Sequence, residues 1–159
     1  MTHSTRRPRA LHSLAALAAL LLLPAAAAAQ GESRFGEWRM QSDAPPPSSN
    51  IMTYAPWGDG GMQITVASTN AQGRSSEWGY TTLFDGVFRA VEGQEGSETA
   101  VEVIDDRSSR ITNRRNGRVT QVIINTLSDD GDTIHNEYVR FDAEGRIVGV
   151  SHAVYERIR

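Results

Sequence analysis

Beyond residue 29 the chain is almost free of leucine. Only Leu83 and Leu127 remain there, against eleven Val, nine Ile and ten Thr. Leucine is the usual filler of helix stripes, whereas β-branched side chains are stiff at χ1 and pack well on a pleated surface. All 14 glycines lie in the same region, mostly between apolar runs. That is the punctuation of short strands joined by turns. No segment beyond residue 29 carries a helical apolar period.

The runs predict about ten strands: Phe35 to Met40, Ile51 to Trp57, Met62 to Thr69, Ser75 to Phe84, Val87 to Val91, Thr99 to Ile104, Ser109 to Arg114, Arg118 to Leu127, Thr133 to Phe141 and Arg146 to Ile158. Asp85-Gly86 and Asn116-Gly117 read as tight turns, the second a strong hairpin signal. Asp43 to Asn50, with Pro45, Pro46 and Pro47, reads as a stiff polar connection, too short and too Pro-rich for a helical lid. Consecutive strands on short loops make an antiparallel up-and-down meander. A meander of eight to ten strands removes its exposed edges by closing into a barrel.

The N-terminus carries a different signal. Arg6, Arg7 and Arg9 precede an apolar run from Leu11 to Leu23, and Ala25 to Ala29 follow. Basic start, apolar middle and small-residue cleavage site are the layout of a secretory signal peptide. Residues 1–29 are expected to be that leader, and residues 30–159 the single folded domain. The expected address is the periplasm or the medium. Arg6-Arg7 also resembles a twin-arginine signal, although Pro8-Arg9-Ala10 stands where an aromatic or Leu belongs. Export as an unfolded chain fits better.

The mature part holds 13 Arg, no Lys and 19 acids, a formal charge of −6. That argues against nucleic-acid and anionic-membrane partners. With no cysteine in the chain, disulfides, thiolate zinc sites and a Cys nucleophile are excluded. After Leu23 no apolar run is long enough for a second membrane span.

Candidate binding residues come from strand alternation. Trp78, Tyr80, Thr82 and Phe84 share one face, either as barrel core or as the wall of a cavity for an apolar ligand. Ile134, Asn136, Tyr138 and Arg140 share another. If that face points inward, Tyr138 and Arg140 can hold a carboxylate; otherwise Arg140 points to water. His135 and His152 lie on the last hairpin. A four-residue loop sets them opposite one another, near Glu137, as a two-His, one-carboxylate arrangement. A three-residue loop separates them. Catalytic motifs are absent: no Gly-x-Ser-x-Gly, no His-Glu-x-x-His and no phosphate loop. Asp105-Asp106 and Asp129-Asp130-Gly131-Asp132 read as polar turns. No metal site, cofactor or enzymatic activity is expected.

Phe35-Gly36-Glu37-Trp38 resembles the Gly-x-Trp that opens the first strand of lipocalins and fatty-acid-binding proteins. The resemblance implies that Trp38 plugs one end of the barrel beneath an Arg from the last strand, here Arg157 or Arg159. The chain is also similar to small exported bacterial lipocalin-like domains of unassigned activity. It shares with them Glu77-Trp78-Gly79-Tyr80-Thr81, the Asp85-Gly86 turn and Val154-Tyr155-Glu156. It lacks the two helices that fatty-acid-binding proteins insert after the first strand and the helix that lipocalins add after the barrel. The implied function is binding of a small apolar or amphipathic molecule by Trp78, Tyr80, Phe84, Tyr138 and Arg140. The alternative is a structural or protein-interaction module of the cell envelope with a filled barrel. A third possibility is an enzyme using His135 and Glu137.

Overall fold

The computed structural model describes residues 33–158. The leader expected over residues 1–29 and the alternative clamp Arg159 lie outside them. Ten strands follow one another: β1 (Gly36–Met40), β2 (Ser49–Trp57), β3 (Gly61–Thr69), β4 (Ser75–Thr82), β5 (Arg89–Ala90), β6 (Ser97–Val103), β7 (Ser108–Arg115), β8 (Arg118–Leu127), β9 (Thr133–Phe141) and β10 (Ile147–Arg157). No helix lies between β1 and β10. Among the described residues, no helix is long and apolar enough to cross a membrane.

The sheet runs β4-β3-β2-β1-β10-β9-β8-β7-β6-β5, every pair antiparallel. Its two end strands are neighbours in sequence, so the meander curls into a nearly closed barrel. The seam is narrow. Gly79 N–H donates to the Glu92 carbonyl at 3.1 Å, and Glu92 N–H donates to the Gly79 carbonyl at 2.8 Å. Gly79 is required there, because a Cβ would lie 2.7 Å from the Ile64 carbonyl oxygen. The fifth strand is shorter than the apolar run Val87 to Val91 predicts. Only Arg89 and Ala90 pair, because the chain on either side turns to make the seam.

Up-and-down topology sorts the connections onto two ends. The floor carries the β2–β3, β6–β7 and β8–β9 turns and the end of β10. The mouth carries the β3–β4, β5–β6, β7–β8 and β9–β10 turns and the Pro-rich connection. At the β7–β8 turn Asn116 and Gly117 both take positive φ, 50° and 77°. A two-residue hairpin loop with right-handed strand twist demands that conformation.

The floor is shut by the segment that enters β1. Trp38 is fully buried, and its Nε1–H donates to the Arg34 carbonyl at 2.9 Å. Arg157, its cross-strand partner, lies over the indole with the guanidinium carbon 4.1 Å from the ring centroid. The same guanidinium donates to the carbonyls of Phe35, Ser33 and Gly131 at 2.8 to 3.0 Å. Above this clamp, Ile64, Val66, Val101, Leu127 and Ile134 form the apolar core.

Candidate functional site

The interior is not uniformly apolar. Arg34, two residues before β1, is 1% exposed. Its Nε donates to Asn125 Oδ1 at 3.1 Å, and Nη2 donates to the Arg107 carbonyl. Asn125 Nδ2 donates to Asn136 Oδ1 at 2.7 Å, and Asn136 Nδ2 donates to the Tyr138 hydroxyl at 3.1 Å. A polar spine therefore climbs from the floor through the barrel. The chain's four tyrosines, Tyr54, Tyr80, Tyr138 and Tyr155, all project inward around it. Burial pushes the hydroxyls of Tyr54, Tyr80 and Tyr155 well above their ordinary range.

Over this filling, at the mouth, lies a cavity of about 370 Å³. Trp78 of β4 forms one wall, with Val91 beside it. The facing wall is a polar ladder across β6, β7 and β8. Thr99 Oγ1 donates to Asn113 Oδ1 at 2.7 Å, and Asn113 Nδ2 donates to Gln121 Oε1 at 3.0 Å. Arg114, Arg115 and Arg140 complete the rim with a single acid, Glu98. Trp78 is half-buried, and its ring stacks on Tyr80, with centroids 6.3 Å apart and planes inclined by 13°.

No protein-family model and no curated protein matches the sequence. Among solved structures the chain is similar to the fluorescent protein UnaG. The wild type gives a TM-score of 0.53 at 13% identity over 80% of this chain and 98% of that one. A mutant of UnaG with a single alanine substitution gives 0.56 at 11% identity over the same shares. The shared fold is an antiparallel up-and-down β-barrel. Identity at this level establishes the architecture and nothing of the ligand.

Within the barrel the five residues picked out by strand alternation do not form one site. Trp78 and Arg140 border the mouth cavity. Tyr80 lies beneath Trp78, buried. Tyr138 is half-buried and engaged in the polar spine, so its hydroxyl meets Asn136 rather than Arg140. Phe84 is buried past the floor end of β4, in a left-handed conformation at φ 58°, and does not border the cavity. Arg140 is exposed at the rim, where its Nη2 donates to Ser151 Oγ at 2.8 Å.

The histidine arrangement needs correction. His135 pairs with Val154, and His152 pairs with Glu137. The β9–β10 connection runs from Asp142 to Arg146, longer than the three- or four-residue loop expected. A register shift between Ile147 and Gly149 then moves the partners one further residue. Both histidines and Glu137 are exposed on the outer face. Among the described residues no His, Asp and Glu cluster can hold a metal ion.

Strand alternation left out Arg34, Asn125, Thr99, Asn113 and Gln121. The last four follow the inward parity of their strands. That signal was present, but single polar residues in a sheet read equally well as solvent-facing. Arg34 had no local signal at all, since its burial depends on partners 73 and 91 residues away.

Proposed function

We propose that this chain is a non-catalytic carrier, exported by its leader, that binds one small amphipathic molecule at the barrel mouth. The observation that carries this reading is the mouth cavity. It has an aromatic wall on one side and hydrogen-bonding groups on the other, which is the usual composition of a small-ligand site. Trp78 is the apolar contact and Arg140 the polar one. Tyr80 and Tyr138 support the two from below, and Phe84 belongs to the packing of the floor. Trp38 and Arg157 are structural, because they join the first and last strands.

The test is titration of the purified protein with anilinonaphthalene sulfonate and with a fluorescent fatty-acid analogue. Saturable one-to-one binding of either, weakened by Trp78→Ala, is expected. Absence of saturation with every probe removes the carrier reading. It favours the interaction module instead, which the filled lower half of the barrel also suits. Recovery of a protein beginning at Gln30 outside the cytoplasm tests the export.

A further inference from the structure

We propose that the mouth cavity selects a small flat aromatic anion, its ring on Trp78 and its carboxylate on Arg140, and turns away long acyl chains. This rests on the carrier reading above and narrows it to one ligand class.

The sign of the ligand follows from a local inversion of charge. The chain is acidic, at −3 formally. The cavity rim holds three arginines against Glu98 alone. Of these, Arg114 is already committed. Its Nε and Nη2 donate to the two Glu98 oxygens at 2.7 and 2.9 Å, and its guanidinium lies 3.8 Å from the Phe88 ring centroid. Arg140 makes no ion pair among the described residues. With only Nη2 engaged, by the neutral Ser151 hydroxyl, it keeps a planar fork of donors that matches a carboxylate in two-point contact.

Shape follows from Trp78. Its stacking on Tyr80 fixes the orientation of the indole before any ligand arrives, so a ring gains a flat partner at little entropic cost. Opposite it, Gln121 accepts from Asn113 and has amide N–H groups to offer a ligand oxygen.

Length follows from what lies below. An acyl tail must run down the barrel axis, and the axis is occupied by the buried Tyr155 and by Asn125, Asn136 and Tyr138 in a hydrogen-bonded spine. Displacing that spine with methylene groups leaves buried polar atoms unpaired, a heavy penalty that apolar contact does not offset. A rigid ligand that stays at the mouth avoids it.

The experiment follows tryptophan fluorescence and isothermal titration with three probes: 2-naphthoate, 2-naphthalenemethanol and dodecanoate. Naphthoate is expected to bind about tenfold or more tighter than the alcohol, the scale of a charge-assisted contact. Dodecanoate should neither bind comparably nor compete. Arg140→Gln, at an exposed position, should weaken naphthoate about tenfold and leave the alcohol within about twofold, with an unchanged circular dichroism spectrum. Equal affinity for acid and alcohol, an unaffected Arg140→Gln variant, or dodecanoate binding as tightly as naphthoate each overturns the proposal while leaving the carrier reading standing. Failure of all three probes together with the two dyes overturns both.

Discussion

Arg157 and Trp38 are partners twice over. They sit opposite one another in the β10–β1 ladder, and the guanidinium carbon also lies over the indole, 4.1 Å from the ring centroid. The first contact joins the first and last strands. The second presses a cation against an aromatic face and turns the remaining N–H groups onto three backbone carbonyls.

Arg157→Ala should therefore destabilise the barrel by about 2–3 kcal/mol, combining the loss of a cation–π contact with charged hydrogen bonds. Arg157→Lys should recover less than half, because an ammonium cannot serve three carbonyls and a ring face at once. Urea unfolding followed by tryptophan fluorescence checks both. Equal stability of the Lys variant and the parent would contradict the role of the planar fork.

Asn125 joins a buried guanidinium to Asn136. Asn125→Leu should cost about 2–3 kcal/mol, since it removes the amide that accepts from Arg34 Nε and donates to Asn136 Oδ1 at a buried position. Arg34→Leu made in the same background should lose less than the two single losses added. A double-mutant cycle measures the difference.

The buried tyrosines predict an alkaline limit. Burial raises the hydroxyls of Tyr54, Tyr80 and Tyr155, so the folded state holds these protons more tightly than the unfolded chain does. Their contribution to stability is complete below the unfolded value of about 10 and is lost as pH rises from there toward the folded values. Absorbance at 295 nm should show these three still protonated at about pH 11 and ionising together with the loss of sheet structure. Three independent titrations near pH 10 in a folded protein would refute this.

The β4–β5 seam rests on one glycine. Gly79→Ala places a Cβ against the Ile64 carbonyl and should cost about 2 kcal/mol. Hydrogen exchange should locate the damage, with the amides at position 79 and at Glu92 losing protection before those of β9 and β10.

Much of this architecture is written in local residue choice. The scarcity of Leu and the wealth of Val, Ile and Thr choose strand over helix. Asn116-Gly117 chooses a hairpin, and the alternation Trp78, Tyr80, Thr82 chooses a face of β4. Each is a matter of single-residue conformational preference or of the two-residue period of a strand, so each can be read from neighbours alone. Register and long-range polar pairing cannot. The length of the β9–β10 loop already keeps His135 from meeting His152, and the shift near Gly149 then sets His152 opposite Glu137. Closure of the sheet decides that Asn125 meets Arg34 and that Arg140 stands at the rim with Trp78. These outcomes depend on how far strands slide past one another as the barrel closes, which is fixed by the packing of the whole sheet and by no one segment of it.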